Sequence, residues 1–247
     1  MTTPSWDDAY AGSVPPAWDL GQPQPAFVRL AEQGLLTGTV LDAGCGTGEQ
    51  TLLAASHGAD ALGVDVSPLA LEIARGKAAA RGIPAATGGQ VGPAAAGGQV
   101  GPAAAGGQVG PAAAGGQVGP AAAGGQVGSA RFEVADALNL GELGLGFDTI
   151  IDSGLFHVFD DESRVRYVTS LASVLRPGGR LYLMCFSDRQ PGMFGPRRVS
   201  QDELRAAFAD GWTIVAIEAE AFALNREAFG IATAQAWLAT VSRIDPR

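Results

Sequence analysis

Basic charge is scarce in this chain: 16 Lys and Arg stand against 25 Asp and Glu, a formal net charge of −9, and the densest basic element is the pair Arg197-Arg198. A protein that grips phosphates needs a basic face, so nucleic acid is not an expected substrate. Cysteine is equally scarce. Cys45 and Cys185 lie in separate elements with no activating partner near them in sequence, so both are expected to be reduced, small and structural, and no metal is expected. No uncharged apolar run reaches membrane-spanning length, and Met1 to Gly12 holds acids but no apolar core of signal-peptide length. A cytoplasmic chain without a membrane partner is the expectation.

What the chain does have is Thr39-Val-Leu-Asp-Ala-Gly-Cys-Gly-Thr-Gly-Glu49, an apolar strand entering glycines at alternate positions and leaving into a helix. Gly44, Gly46 and Gly48 carry no side chains, so the backbone can turn sharply and approach a ligand over the strand's carboxyl end. The loop lacks the Lys-Ser/Thr that grips phosphate, and it is not the G-x-G-x-x-G of dinucleotide enzymes. Asp42 precedes it, and a carboxylate there suits a ligand with a cationic amine. Ala61-Leu-Gly-Val-Asp-Val-Ser67 reads as a second buried strand ending in Asp65, where a parallel-sheet nucleotide fold keeps its ribose-binding acid. Ser67-Pro68 supplies an N-cap and first-turn proline for the next helix. Arg131 to Ala135 and Phe147 to Asp152 read as further strands, the first followed by Asp136.

Ahead of the third strand lies a perfect nonapeptide repeat: Gly-Gly-Gln-Val-Gly-Pro-Ala-Ala-Ala occurs four times from Gly88 to Ala123, with a partial copy to Ala130. The tract contains no charge and no aromatic residue, and its prolines and glycines oppose helix and central strand. Every third triplet begins with alanine where a collagen axis admits only glycine, and no aspartate is present for a calcium solenoid. The expectation is a flexible insert at 88–130 within one domain spanning 1–247, resembling a slippage expansion or an engineered linker.

Alternating strands and helices continue past the tract. Asp160 to Leu175 places Val165, Val168, Leu171, Ala172 and Leu175 on one helical face, and Arg176-Pro-Gly-Gly179 stops it before a fifth strand, Leu181 to Phe186. Ser200-Gln-Asp-Glu203 is a capping box opening a helix with Leu204, Ala207 and Phe208 inward. His57, before Gly58 at a helix end, reads as a cap. Trp212 to Ala223 and Ala234 to Ile244 are the last strands.

The glycine loop, the strand-ending acids and the Leu175-Arg-Pro-Gly-Gly-Arg-Leu181 turn resemble class I S-adenosylmethionine (SAM) methyltransferases. The resemblance implies an α/β fold: a Rossmann-like, seven-stranded sheet with helices on both faces and an antiparallel edge hairpin. It implies SAM contacts at Asp42, Gly44, Gly46, Gly48, Asp65, Val66, Asp136 beside the adenine, Ala137 and Asp152. The fourth strand ends Asp152-Ser153-Gly154 and lacks the Asn/Asp-Pro-Pro-Tyr/Phe of amino-methylating DNA enzymes. The amino-terminal Trp6-Asp-Asp-Ala-Tyr10 and Trp18-Asp-Leu-Gly21 look like the segment that closes over SAM in thiol, thiopurine and actinobacterial heterocycle or quinone methyltransferases. Trp18 then either stabilises the sulfonium with its ring face or packs a helix onto the sheet. The implied reaction is methyl transfer to a hydroxyl or thiol of a small aromatic or heterocyclic acceptor; C-methylation of a quinone precursor and a non-catalytic SAM-binding protein are the alternatives. His157 is the candidate base, with a hydrogen-bonded structural histidine as its other reading. Phe156, Phe159, Met193, Phe194 and Arg197 are the candidate acceptor contacts.

Overall fold

A computed structural model describes residues 6–12, 14–86, 127–192 and 195–245. Seven strands form one sheet in the order β3-β2-β1-β4-β5-β7-β6. These are β1 (Thr39–Ala43), β2 (Asp60–Asp65), β3 (Ser129–Val134), β4 (Phe147–Ser153), β5 (Leu175–Phe186), β6 (Trp212–Ala223) and β7 (Thr233–Arg243). The first five run parallel, and β7 inserts antiparallel between β5 and β6. Because strand side chains alternate, neighbouring residues serve opposite cores. Val40, Tyr182, Met184 and Phe186 join the core under α2 (Pro25–Glu32), α3 (Glu49–Ser56) and α4 (Pro68–Ala80). Leu41, Leu181, Leu183 and Cys185 join the core under α5 (Asp161–Val174) and α6 (Gln201–Ala207).

Local signals in the sequence recur in the structure. Ser67 caps α4 through a bond from Ala70 N–H, Ser200 and Glu203 form the reciprocal capping box, and His57 is the C-cap residue of α3. The parallel order and antiparallel edge hairpin match the expected architecture.

Three boundaries or faces differ. On α5 the inward face is Arg164, Tyr167, Leu171 and Val174, while Val165 is 70% exposed. Tyr167 turns the helix because its hydroxyl bonds the buried carboxylate of Asp152. Strand β5 begins at Leu175, with the Arg-Pro-Gly-Gly segment forming an irregularity between the pairs Phe147–Leu175 and Thr149–Arg180. Strand β3 begins at Ser129, so the end of the repeat contributes its last two residues to the sheet. Gly128 approaches the Ala59 carbonyl so closely that a Cβ would lie 2.0 Å away. The repeat from 88 to 126 lies outside the described residues.

Candidate active site

The carboxyl ends of β1 to β4 open into a cavity of about 630 Å³. Its floor is the glycine loop, where positive φ at Gly44 (69°) and Gly46 (52°) turns the chain back over β1. Gly46 N–H donates to Asp65 Oδ2 at 2.9 Å and Ser67 N–H donates to Oδ1 at 2.9 Å, so the acid ending β2 organises both neighbouring turns. Burial raises the Asp65 pKa above the ordinary carboxylate value. Asp42 Oδ2 accepts from Thr51 N–H at 3.0 Å and Thr51 Oγ1 at 2.7 Å, tying β1 to α3. Burial pushes the Asp42 pKa up to about 7. Val66, Asp136 and Ala137 also line the cavity, with the Asp136 carboxylate receiving Leu138 N–H at 2.9 Å.

Gly48 departs from expectation. It is not a lining residue; a Cβ there would lie 2.7 Å from the Phe132 ring and 2.9 Å from Ala74, so its bareness lets α3 start against β3 and α4. Asp152 departs as well. Its carboxylate is fully buried beneath the cavity, accepting Leu155 N–H at 2.7 Å, Phe156 N–H at 3.1 Å and the Tyr167 hydroxyl at 3.0 Å. It holds the turn after β4 and does not reach the cavity. Burial, with Asp42 nearby, pushes its pKa up to about 7.

The other end of the cavity is apolar, walled by Val158, Phe159, Phe186, Phe222 and Leu224. Phe159 is a wall, as its sequence position suggests. Phe156 is not, because its ring is buried against Phe208 at 6.0 Å and under the Arg164 guanidinium at 4.6 Å. Arg197 is also elsewhere, paired on the surface with Asp161 and, at 2.6 Å, with Glu203. Met193 and Phe194 lie outside the described residues; Gly195 and Pro196, which follow them, do line the cavity. Phe186, Phe222 and Leu224 carry no functional signal in the sequence, because apolar residues at strand ends look like core until the sheet is assembled.

His157 lines the cavity on a short 3-10 turn, Phe156–Val158, and is 6% exposed. Phe186 N–H donates to its Nδ1 at 2.9 Å, and the Phe186 ring stands edge-on to the imidazole at 5.0 Å. Burial, then the charges of Arg164 and Arg198, lower its pKa to about 3, so it is neutral at physiological pH. With the Nδ1 lone pair occupied, the proton of the neutral ring belongs on Nε2. That tautomer has no free lone pair facing the cavity, an arrangement that favours the hydrogen-bonded reading of His157 over that of a base.

The amino-terminal segment covers the opening. Trp18 Nε1 donates to the Tyr10 hydroxyl at 3.0 Å, and the Trp6 and Tyr10 rings meet Trp18 edge-on at 5.9 and 6.4 Å. Asp7 anchors the segment by accepting from Ser67 Oγ and from Leu69 N–H at the start of α4. Trp6 and Tyr10 are lining residues as well, a role their Trp-Asp-Asp-Ala-Tyr spacing signalled without fixing.

Five lining carboxylates, Asp19, Asp42, Glu49, Asp65 and Asp136, are present, and no Lys or Arg lines the cavity among the described residues. That charge suits a cationic ligand. Glu49 is neutralised by Lys77 at 2.8 Å and Arg81 at 2.9 Å. Cys45 is also a wall, but burial, followed by the negative charges of Asp42 and Asp65, pushes its thiol well above the ordinary pKa; it is no nucleophile. The strand order, glycine cradle and acid at β2 define a nucleotide-cofactor enzyme of the doubly wound α/β class.

Comparison with known proteins narrows the class. Residues 40–92 match the family model of a methyltransferase domain, and residues 126–243 match that of thiopurine S-methyltransferase. The 2-heptyl-1-hydroxyquinolin-4(1H)-one methyltransferase of Mycobacteroides abscessus is 31% identical over 232 residues, covering 91% of this chain and 83% of the relative. A structure determined for the conversion of a disulfide bond into a thioacetal group during echinomycin biosynthesis is 33% identical, with a TM-score of 0.68 over 96% of this chain and 89% of that one. Burkholderia thailandensis 1,6-didemethyltoxoflavin-N1-methyltransferase shares the fold at 18% identity, a TM-score of 0.54 and coverage of 90% and 78%. The chain belongs to the class I SAM-dependent methyltransferases that act on small molecules, and SAM is its methyl donor.

Proposed function

We propose that this enzyme transfers the SAM methyl group to a hydroxyl or thiol of a small, flat aromatic or heterocyclic acceptor. The observation that carries the reading is the division of one cavity into an acidic, glycine-floored end and an aromatic end. SAM supplies a methyl group already activated by the positive charge on sulfur. On this reading Asp65 accepts the ribose hydroxyls, Asp136 and Ala137 border the base, and Asp42 faces the amino-acid portion. Gly44 and Gly46 allow the cofactor to lie on the backbone. Trp18 covers the sulfonium and excludes water. Phe159, Phe186 and Phe222 hold the acceptor's ring, and alignment with the methyl carbon supplies much of the rate. The Mycobacteroides relative, whose name specifies a hydroxyquinolone, supports an acceptor of this size.

The test is a mass-spectrometric screen with isotopically labelled SAM against phenols, N-hydroxy heterocycles and aromatic thiols. A methyl product on oxygen or sulfur is expected. Label on a ring carbon, or tight SAM binding with no product across the panel, would overturn the reading.

A further inference from the structure

We infer that His157 acts as a neutral hydrogen-bond donor through Nε2–H, gripping an oxygen of an acceptor that enters already ionised, either its nucleophile or a carbonyl beside it. The inference rests on the acceptor reading above for its target, but its basis in the protein is independent. Phe186 belongs to β5 and its N–H points at Nδ1, 2.9 Å away, so the backbone itself selects the tautomer. Asp152 fixes the other side: by accepting Leu155 and Phe156 N–H it shapes the turn that presents His157. Among the described residues the only fully buried side-chain polar atom without a partner is Arg164 Nη2. Nε2 of His157 has no hydrogen-bond partner among the described residues and, not being a buried unpartnered atom of that kind, is open to the cavity its ring lines.

The surroundings disfavour protonation of the ring. Phe186 from β5 and Phe222 from β6 flank it, at 5.0 and 6.1 Å between centroids. The charged groups that act on it, Arg164 from α5 and Arg198 from the segment after β5, are both cationic and disfavour an imidazolium. Among the described residues, Val158, Phe159, Phe222 and Leu224, which wall the acceptor end, supply no side-chain proton acceptor. The acidic residues bordering the cavity end β1 and β2, follow β3, or lie in networks: Asp19 with Thr47 Oγ1 at 2.9 Å, and Glu49 with Lys77.

The reaction then balances without a base in the protein. The acceptor's O–H ionises in solution and its proton goes to water; the oxyanion binds against Nε2–H. Its lone pair forms the O–C bond as the S–C bond breaks, and sulfur leaves as a neutral thioether. A donor on the nucleophile stabilises its ground state, so the contribution of His157 is to capture and orient the ionised acceptor. The enzyme is thereby selective for hydroxyls acidic enough to ionise near neutral pH, including those acidified by a conjugated carbonyl.

Two measurements test this. Long-range nitrogen–proton correlation spectra of the histidine-labelled protein have only two imidazoles to resolve, His57 and His157, and His57→Asn assigns them. The expected result is an Nε2–H tautomer for His157 that does not titrate between about pH 5 and 9. An Nδ1–H tautomer, or a titration near the ordinary histidine value, overturns the proposal whatever the acceptor. The second measurement uses 2-heptyl-1-hydroxyquinolin-4(1H)-one as probe. His157→Gln, whose amide keeps a donor but cannot act as a base, should stay within about tenfold of the parent in kcat/KM, with an unchanged pH midpoint. His157→Phe should lose about tenfold to a hundredfold, mostly in KM. Equal losses in the two variants overturn the donor role. Failure of the parent enzyme to methylate the probe would count against the acceptor class alone, with the spectra still deciding the tautomer.

Discussion

Gly46 and Asp65 are joined by a hydrogen bond of 2.9 Å from the glycine amide to the carboxylate, so the loop after β1 and the acid ending β2 form one unit. On the proposed reading, loss of the Asp65 carboxylate removes a ribose partner and frees the loop together. Asp65→Ala should weaken SAM binding by about 1.5 to 3 kcal/mol in calorimetry. Asp65→Asn, which retains one acceptor oxygen, should lose less; unchanged affinity in both would take Asp65 out of the site.

Two glycines of the same loop should fail in different ways. Gly46→Val should abolish SAM binding in a folded protein, because on the proposed reading the side chain enters cofactor space, and it also displaces the Tyr10 hydroxyl, which lies 2.9 Å from where a Cβ would stand. Gly48→Ala should instead lower the melting temperature, since its methyl meets Phe132 and Ala74 at a φ of 84°. Melting curves and SAM titrations on the pair separate the roles; the reverse pattern would reverse them.

The apo enzyme should lose stability as pH rises. Asp42 and Asp152 carry pKa values lifted by burial from 3.8 to about 7. The folded state thus binds more protons than the unfolded chain between those values, and this contribution is complete below 3.8 and gone above about 7. Thermal melts should fall between about pH 4 and 7, and Asp152→Asn should flatten the slope. A rising profile over that window would contradict the burial of both acids.

Anchoring of the amino-terminal cover is also testable. Asp7→Ala removes the acceptor for Ser67 Oγ and Leu69 N–H. We expect KM for SAM to rise about threefold to tenfold with the fold intact, as for loss of one charge-assisted contact. An unchanged KM would show that the cover does not hold the cofactor.

The repeat should be dispensable for chemistry. Ala85 and Ala130 pair in parallel, so the flanking ends cannot be joined directly and a return path is needed. Replacing 87–126 with a short Gly-Ser linker, leaving Ser129 and Ala130 in β3, should keep SAM affinity and turnover within a few-fold, because loop length enters stability only logarithmically. An unfolded product or a lost oligomer would assign the tract a structural task.

The sequence by itself determined the features that depend on neighbours along the chain. The alternate glycines after β1, the Ser67 cap and the capping box at Ser200 are local, and so is the acid at the end of β2, whose carboxylate must meet the adjacent turn. Short apolar runs likewise marked the central strands, since a parallel sheet covered on both faces buries every residue of a strand. What a side chain does after a strand ends depends on the neighbouring element, and that only the tertiary structure decided. Asp42, Asp65 and Asp152 look alike in sequence, yet Asp42 and Asp65 border the cavity while Tyr167 and two amides draw Asp152 beneath it. The same holds for His157: its residue type suggested a base, but the amide of Phe186, 29 positions away, fixes which nitrogen carries the proton. A backbone donor from another strand cannot be read from the residues around the histidine, because the register that delivers it exists only once the sheet has formed.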